Sequence, residues 1–409
     1  MLMSETVQGG PVLLEDIDLY QADFYRSGQP HAAWLTLRSQ APVWKQTAPD
    51  GTPFWSVTRY KDVVRVVKDT QRFSSEYSTM LSVLHGDTAK GKAIHLMDPP
   101  KHRTLRSPTA HTMSAYVMQR HEKAIRQRVK AMVSAAVEEG EIDFARLATA
   151  IPMAVTGEII GITEKYWADV ARWTIASMAP DDPFYSAGVD KNTLQMAHVY
   201  LFSLLADLIA QRREEPADDL MSVLISLDLD GQPASDEDVL INCYAFIMGA
   251  NPTIPQAASH TMLLMLQNPA IWREINEDPA IMPTMVEEAL RWASPVNGLL
   301  RRTTREVTLG EEVVPEGGLV CAWLASANRD EEIFADPFAF DPRRSPNPHV
   351  AFSVGPHRCI GNPSARVGLR LLLEELVAQV DFVEQTGAEL HLQSNFLNGI
   401  TSLPVQLHA

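Results

Sequence analysis

An almost wholly apolar segment, Val239–Met248, constrains the fold more than any other part of this sequence. A helix with apolar residues on nearly every side is buried inside a protein. The apolar pattern resumes in TMLLMLQ, but Pro252 and Pro255 lie between the two parts. Proline inside a helix removes a hydrogen bond and costs about 3 kcal/mol. The sequence therefore predicts a buried helix with a costly irregularity around Thr253.

The remaining sequence predicts a mainly α fold with small β-sheets. Apolar residues recur at helical spacing through the middle of the chain, as in AYVMQRHEKAIRQRVKAMVSAAVEEG, which stops at Gly140. Short strands cluster toward the ends, where Pro49, Asp50 and Gly51 predict the turn of a hairpin. Because no linker or repeat divides the chain, we expect a single domain over residues 1–409.

Composition and charge exclude several classes of protein. The net charge of −16 argues against nucleic-acid binding, which depends on cations that neutralise phosphates. No run of about 18 apolar residues exists, and the first residues lack the layout of a secretory signal. The three cysteines are far apart and odd in number, which fits a reducing compartment. We therefore expect a cytoplasmic protein with no membrane span and no nucleic-acid partner.

One cysteine, Cys359, has an informative context. It lies just before an amphipathic helix, between Gly355 and Gly361, with His357 and Arg358 beside it. A helix N-terminus favours the thiolate, which is the metal-binding form of cysteine. The neighbouring sequence has no second cysteine or histidine at zinc spacing. A single thiolate on a metal that carries its other ligands itself indicates haem.

The stretch FSVGPHRCIG resembles the haem-binding loop of the cytochrome P450 superfamily. The residues that carry the resemblance are Phe352, Gly355, His357, Cys359 and Gly361. The likeness covers nearly the whole chain and implies the P450 fold, a triangular, helix-rich, single-domain prism. It also implies haem b, iron protoporphyrin IX, with the Cys359 thiolate as axial ligand.

Two further groups of residues match motifs of that family in the same order along the chain. EALR, with Glu288 and Arg291 on one helix face, resembles the Glu-x-x-Arg motif, and Arg344 resembles the arginine that joins the pair. We expect this clamp to be structural. MDPPKHRTLR resembles the segment that binds a haem propionate. The implied propionate contacts are His102, Arg106, Arg301 and His357.

The resemblance implies a monooxygenase that inserts one oxygen atom from O2 into a hydrophobic small organic substrate, such as a terpenoid, steroid, polyketide or aromatic compound. The chain looks like the soluble bacterial members, which receive electrons from a separate ferredoxin and ferredoxin reductase. A basic patch near the cysteine would attract an acidic ferredoxin. Its candidates are Lys101, Arg103, Arg106, Arg358 and Arg366. Alternatives that stay open are a haem-thiolate peroxygenase, a coupling or rearrangement enzyme, a haem-binding sensor without turnover, and a helical scaffold without haem.

In the P450 family a long helix crosses the distal face of the haem and carries a glycine, then an acid, then a threonine. The matching segment here is Gly249, Ala250, Asn251, Pro252 and Thr253. Pro252 stands where the acid belongs, and no Asp or Glu lies between Asp238 and Glu274. The sequence therefore predicts an atypical route for protons.

Three hypotheses for proton delivery remain open. In the first, Pro252 and Pro255 free two backbone carbonyls that hold waters, and an altered relay is completed by Thr253, Asn251 and either Gln256 or His260. In the second, a hydroxyl or acid of the substrate supplies the path. In the third, the haem performs peroxide-driven oxidation, coupling or rearrangement. A simpler structural interpretation is that Pro252 only strengthens a kink.

The substrate pocket is predicted to be apolar, because the segments that form it in this family are apolar here. Core packing explains many of the same side chains equally well. The expected substrate contacts are Met80, Phe246, Ile247, Val296, Leu299 and Phe396.

Overall fold

The computed structural model describes residues 12–180, 182–186, 192–229 and 231–409. Within these ranges the chain forms fourteen α-helices and fourteen short β-strands. The helices are α1 His31–Gln40, α2 Tyr60–Lys68, α3 Lys101–Thr112, α4 Ala115–Glu139, α5 Phe144–Ile160, α6 Trp167–Met178, α7 Thr193–Glu214, α8 Leu220–Ile225, α9 Asp236–Ala250, α10 Thr253–Gln267, α11 Pro269–Glu277, α12 Met282–Ala293, α13 Leu324–Ala327 and α14 Asn362–Gln379.

The strands form one sheet of five strands and several smaller ones, so the predicted mainly α fold with small sheets is confirmed. The five-stranded sheet has the order β1-β2-β10-β7-β3, and a second sheet has the order β11-β14-β4. Two-stranded sheets pair β5 with β6, β8 with β9 and β12 with β13. The strands are β1 Val43–Thr47, β2 Pro53–Val57, β3 Phe73–Ser74, β4 Glu141–Asp143, β5 Asp228–Leu229, β6 Gln232–Pro233, β7 Leu299–Thr303, β8 Val307–Leu309, β9 Glu312–Val314, β10 Leu319–Ala322, β11 Phe382–Gln385, β12 Leu390–His391, β13 Ile400–Ser402 and β14 Pro404–His408.

The predicted hairpin is confirmed by the antiparallel pairing of β1 with β2, in which Val43 lies opposite Val57. Its turn closes through a hydrogen bond from the Ala48 N–H to the Thr52 carbonyl at 2.9 Å. Gly51 has a φ of 88°, in the left-handed region that a residue with a side chain rarely adopts.

In the helical core, the helix that follows the Cys359 loop packs against the helix that contains Pro255. Helix α14, which follows the cysteine, packs against α4, α5, α10 and α12. Helix α10 in turn packs against α5 and α12. Buried side chains such as Ile151, Met262 and Leu372 join these helices in one apolar cluster. This packing fixes the cysteine loop relative to the helix that carries Thr253.

The buried helix that the sequence predicts is divided into α9 and α10. A capping box begins α9, with the Asp238 N–H donating to the Ser235 hydroxyl at 3.1 Å. The backbone of Asn251 and Pro252 keeps right-handed helical angles between the two helices. Because Pro252 has no N–H, the helical hydrogen-bond pattern is interrupted there. The irregularity is therefore a local break in the hydrogen bonds while the chain keeps its helical path.

One helix, α7, is long and apolar enough by length and composition to cross a membrane. In its most apolar window 39% of the residues are buried inside the protein. The buried residues include Leu201, Leu205 and Leu208, which belong to the main apolar cluster. The helix packs against α6 and α9.

Candidate functional site

The loop before α14 holds Cys359 in a defined backbone conformation. The Cys359 N–H donates to the Phe352 carbonyl at 2.8 Å, and the Asn362 side-chain amide donates to the Cys359 carbonyl at 2.7 Å. Gly355 has a φ of 80°, and a Cβ on it would lie 3.0 Å from the Cα of Lys68. Glycine is required at this position both by the conformation and by the close approach of α2.

Cys359 is partly exposed, whereas Cys243 and Cys321 are buried in the core. The protein atoms packed around the sulfur raise the pKa of Cys359. A hydrogen bond from the Gly361 N–H and the positive charges of Arg106 and its neighbours oppose that rise without cancelling it. The Gly361 N–H at the helix start thus lowers the thiol pKa, as the sequence predicts, but burial outweighs this effect in the protein alone. Metal binding is the ordinary way in which such a thiol loses its proton.

Three of the predicted anion contacts come together from separate elements. His102 lies on α3, Arg301 on β7 and His357 in the cysteine loop. The His102 and His357 rings are 4.1 Å apart between centroids, and the Arg301 side chain is 2% exposed. In the described part of the chain, His102 Nε2, His357 Nε2 and Arg301 Nε are buried without a hydrogen-bond partner. Buried donors without partners are rare and indicate a group that binds there.

The electrostatics of this cluster favour an anion. Burial, followed by repulsion from neighbouring bases, lowers the pKa of His102 to about 4 and that of His357 to about 2. Burial also lowers the pKa of Arg301 to about 10. His95, which no sequence motif marked, adds to the repulsion on His357. Asp98 is the carboxylate that raises the pKa of both His102 and Arg301, against these effects. Additional negative charge would stabilise the whole cluster.

Arg106, the fourth predicted contact, is engaged differently. Its guanidinium donates a hydrogen bond to the Arg358 carbonyl, in the cysteine loop. Burial lowers the pKa of Arg106, and the nearby Cys359 raises it. The structure therefore places this arginine against the backbone beside the sulfur, where it helps to fix the loop.

Glu288, Arg291 and Arg344 form a buried ionic clamp. The Arg291 guanidinium donates twice to the Glu288 carboxylate at 2.7 Å, and both side chains are fully buried. Arg344 Nε lies 3.1 Å from each carboxylate oxygen. The Asp341 N–H and the Asn347 amide complete the shell at 3.0 Å each. Burial raises the pKa of Glu288, but these hydrogen bonds and charges hold it below its usual range.

A second clamp, which no sequence motif marked, is built on the adjacent Glu287. Its carboxylate accepts from Arg366 Nε at 2.5 Å and Nη2 at 2.8 Å, and it lies 3.1 Å from His349 Nε2. The Arg366 guanidinium also lies 4.6 Å from the centre of the Phe352 ring. Glu287 and Glu288 therefore anchor the cysteine loop from two sides, through α14 and through the segment before Phe352.

Replacing Glu287 by glutamine should lower stability at neutral pH by about 1–2 kcal/mol, an amount reduced for solvent screening. Burial opposes ionisation, but Arg366 and His349 lower the pKa of Glu287 from 4.5 to about 2. The stabilisation is present above the unfolded pKa of 4.5 and is lost as the pH falls toward about 2. Urea unfolding at a series of pH values measures this difference.

The matched control for this prediction is Glu277→Gln, the same change at an exposed glutamate. It should leave the free energy of unfolding nearly unchanged at every pH. A difference between wild type and Glu287→Gln that does not shrink on acidification would contradict the proposed ion pair.

At the α9–α10 break, Thr253 and Asn251 have distinct environments. The Thr253 hydroxyl donates to the Gly249 carbonyl at 3.0 Å. A Cβ on Gly249 would meet no atom within 4 Å, so the helix adjoins open space at this point. Asn251 is fully buried, and its amide N–H2 reaches the Thr174 hydroxyl at 3.4 Å. Its Oδ1 has no partner among the described residues. An unsatisfied buried acceptor next to Pro252 is a position for an ordered water.

Four of the predicted substrate contacts are partly buried, and two of them pack against one apolar cluster. Met80, Val296, Leu299 and Phe396 all keep some exposed surface. Val296 and Phe396 pack with Met178 against the same small apolar cluster, formed by α6 and the segment around Leu397. Met178, Val296 and Phe396 thus form an apolar surface, which we call the apolar wall.

The other two predicted contacts, Phe246 and Ile247, are buried in the main core at 6% and 0% exposure. Their neighbours Ala245 and Met248 are partly exposed and lie on the side of α9 that continues to Gly249. The structure therefore favours Ala245 and Met248 as the residues of this helix that face the open space. No pattern in the sequence could indicate the exposed side, because the helix is apolar all round.

The segment that carries Phe396 is held by hydrogen bonds from other elements. The Asn297 N–H donates to the Phe396 carbonyl at 2.8 Å, and the Asn398 N–H donates to the Pro295 carbonyl at 2.9 Å. The Gln256 side chain on α10 accepts from the Ile400 N–H at 2.8 Å. Backbone and core contacts thus position this part of the wall.

Comparison with known proteins agrees with this geometry. The family model described as Cytochrome P450 matches residues 25–407. The chain is 30% identical over 407 residues to linalool 8-monooxygenase of Pseudomonas putida, covering 96% of this chain and 99% of that protein. It is 30% identical over 400 residues to steroid C26-monooxygenase of Mycobacterium tuberculosis, covering 95% and 96% of the two chains.

A crystal structure of Mycobacterium marinum cytochrome P450 CYP268A2 in complex with pseudoionone has the same fold. It superposes with a TM-score of 0.89 at 28% sequence identity, over 97% of this chain and 100% of that chain. The family binds haem through a cysteine thiolate, and its members hydroxylate terpenoids, steroids and lipids. With a partly exposed cysteine beside a cluster of buried basic side chains, and a family match over nearly its whole length, the chain belongs to the cytochrome P450 family of monooxygenases.

Proposed function

We propose that Cys359 is the axial ligand of a haem b, and that the enzyme hydroxylates an apolar terpenoid or steroid substrate. The observation that carries the proposal is the set of buried, unpartnered donors on His102, His357 and Arg301 beside the Cys359 loop. These donors match the two propionates of a haem in charge and chemistry. Haem, when bound, supplies the reductive activation of dioxygen.

The two sides of the proposed haem position differ in chemistry. On one side Cys359 provides a sulfur, and Phe352 and Gly355 shape its loop. A Cβ on Gly361 would lie 3.9 Å from that sulfur, at ordinary contact distance. On the other side Gly249 adjoins open space. Small residues on both sides allow a flat, bulky group to approach the backbone.

Thr253 and Asn251 are proposed to handle water and protons in place of the usual acid. The Thr253 hydroxyl is held by the Gly249 carbonyl, so its oxygen accepts a hydrogen bond from a water. The free Oδ1 of Asn251 accepts a second one. Pro252 cannot donate to the Met248 carbonyl, which leaves that oxygen available as a further acceptor. These groups organise waters, while none of them is itself a strong acid.

Replacing Pro252 by aspartate should increase the fraction of consumed electrons that appears in product severalfold. The change restores a carboxylate next to Thr253, and proton transfer by a positioned carboxylate contributes strongly to rate. Coupling is measured as product formed per reduced nicotinamide consumed. The matched control is Pro252→Ala, which restores the N–H without adding a carboxylate.

Equal improvement in both variants would show that the break in the helical hydrogen bonds, and not the missing acid, limits proton delivery. Unchanged or poorer coupling in a folded Pro252→Asp protein would contradict the altered relay. Peroxide-driven turnover that matches the oxygen-driven rate would favour a peroxygenase.

The substrate class is inferred from the apolar wall and from the named relatives. Val296, Leu299 and Phe396 present hydrocarbon surface, and burying such surface contributes about 25 cal/mol per Å² of apolar area. One relative acts on linalool and another on a steroid, and a similar structure binds pseudoionone. All three ligands are isoprenoid compounds with few polar atoms.

Electrons are proposed to come from an acidic ferredoxin and its reductase, which bind on the Cys359 side. Lys101, Arg103 and Arg358 are exposed there. Arg106 and Arg366, which belong to the predicted patch, are instead engaged by the Arg358 carbonyl and by Glu287. The three cysteines are unpaired, which supports a reducing cytoplasm as the site of action.

The test is substrate-dependent oxygen consumption with ferredoxin, reductase and reduced nicotinamide, compared with turnover on hydrogen peroxide alone. We expect a substrate-induced spin-state shift, followed by oxygen uptake that depends on both electron carriers. A haem protein that shows product only with peroxide would contradict the monooxygenase role. A ferrous–CO spectrum without the thiolate band would contradict the assignment of Cys359.

A further inference from the structure

The hydroxyl of Ser177, in the last turn of α6, donates one good hydrogen bond and has spare capacity as an acceptor. It donates to the Thr174 carbonyl at 2.8 Å and lies 3.1 Å from the Met248 sulfur. A thioether is a poor acceptor. The Tyr244 hydroxyl, 3.5 Å away, is at the limit of a hydrogen bond. Ser177 is 9% exposed, so a better partner must come from a molecule bound inside the protein.

Ser177 lies between the apolar wall formed by Val296 and Phe396 and helix α9. The next residue, Met178, packs with Val296 and Phe396 in the wall. Met248, which contacts the Ser177 hydroxyl, directly precedes Gly249, where the helix adjoins open space. The hydroxyl is thus a polar group between apolar surfaces that line the proposed substrate pocket.

Two neighbouring rings, those of His198 and Phe202, orient the side chain of Tyr244. The His198 Nε2 lies 3.0 Å from the Tyr244 hydroxyl. The His198 ring stacks on Phe202 at 5.2 Å with 2° between planes, and Tyr244 meets Phe202 edge-on at 4.9 Å. Burial lowers the pKa of His198 and raises the pKa of Tyr244, so both stay neutral at pH 7. The three rings therefore fix a hydroxyl that faces Ser177.

We propose that Ser177 is a polar anchor for a hydroxyl or carbonyl oxygen on an otherwise apolar substrate, with Tyr244 and His198 as positioning residues. A substrate hydroxyl would donate to the Ser177 oxygen, whereas a substrate carbonyl would accept the proton that Ser177 now donates to the Thr174 carbonyl. An apolar pocket with a few placed polar groups orients its ligand through them. The proposal rests on the proposed function and narrows the substrate to isoprenoids that already carry one oxygen at a distance from the carbon to be hydroxylated.

The test compares ligands that differ only in that oxygen. One pair is linalool and 3,7-dimethylocta-1,6-diene, and the other is cholest-4-en-3-one and cholest-4-ene. Dissociation constants are measured by the spin-state shift and, independently of the haem spectrum, by ligand-induced thermal stabilisation. We expect the wild type to prefer the oxygenated member of at least one pair by about fivefold to tenfold, the worth of one neutral hydrogen bond.

Ser177→Ala should reduce that preference to about twofold or less while affinity for the hydrocarbon stays unchanged. Tyr244→Phe keeps the ring packing and should reduce the preference by a smaller factor. The matched control is Ser226→Ala, which removes the same type of bond, from a hydroxyl to the carbonyl three residues earlier at 2.8 Å, at an exposed site. This control should change neither the affinity for the oxygenated compound nor the affinity for the hydrocarbon.

Equal preference of the wild type for both members of both pairs, including binding of none of the four compounds, overturns the proposal. Equal weakening of both members by Ser177→Ala also overturns it, because the serine is then a packing residue. Failure of the proposed function is recognised separately, as absence of the thiolate-type ferrous–CO spectrum in the wild type.

Discussion

Replacement of Cys359 by alanine should abolish the thiolate-type ferrous–CO spectrum completely while the protein remains folded. The loop conformation depends on the hydrogen bonds of the Cys359 backbone, to Phe352 and from Asn362, and on Gly355. None of these requires the sulfur. The measurement is the reduced CO difference spectrum of purified protein, with far-ultraviolet circular dichroism as the check on folding.

The other two cysteines are the natural controls for that experiment. Cys243→Ala and Cys321→Ala remove buried thiols in the core, at 0% and 1% exposure. Each should cost about 1–3 kcal/mol of stability through the small cavity it leaves, with the CO spectrum of the loaded protein unchanged. A thiolate spectrum that persists in Cys359→Ala, or that is lost in either control, would contradict the assignment of the ligand.

Replacement of Glu288 by glutamine should lower the free energy of unfolding by about 3–5 kcal/mol, the usual cost of breaking a buried ion pair. Glutamine keeps the shape, but it leaves Arg291 buried without its counter-charge and turns an N–H2 group toward a guanidinium. Arg344, Asp341 and Asn347 share the two carboxylate oxygens, of which glutamine would keep only one as an acceptor. Chemical denaturation measured beside the wild type gives the difference.

The control for the clamp is Glu274→Gln, which breaks the pair with Arg343 at 2.7 Å. Both side chains there are well exposed, at 37% and 51%, so the change should cost less than about 1 kcal/mol. Similar losses for the two variants would show that Glu288 contributes no more than a surface charge. A Glu288→Gln protein with normal stability would show that the clamp is dispensable.

The parts of the site that were predictable from sequence are those whose chemistry is local. Cys359 lies among glycines and next to a helix start, and Glu288 and Arg291 are one helical turn apart, so each pattern is visible in a short segment. The hairpin turn at Asp50 and the capping box at Ser235 are local in the same sense, and both are confirmed.

What the sequence could not reveal depends on contacts between distant segments. Glu287 pairs with Arg366, 79 residues away, and no spacing rule marks that pair. The effect of His95 on the pKa of His357 could be recognised only from the position of His95 in the structure. The shift in the pKa of Cys359 comes from packing around the sulfur, whereas the sequence showed only the helix start. These features are decided by tertiary burial, which local patterns do not encode.

Backbone hydrogen bonds hold the segment around Phe396 in place, in addition to the packing of its side chain. Its backbone is fixed by Asn297, by Pro295 and, through Ile400, by Gln256. Substitution of Phe396 would therefore alter the volume and shape of the pocket while leaving the course of the chain unchanged. At such a position a lineage could exchange one substrate for another in a single mutational step, because the backbone hydrogen bonds that hold the segment stay in place. Because these hydrogen bonds do not involve its side chain, Phe396 is the first position to randomise when a new substrate is sought for this enzyme.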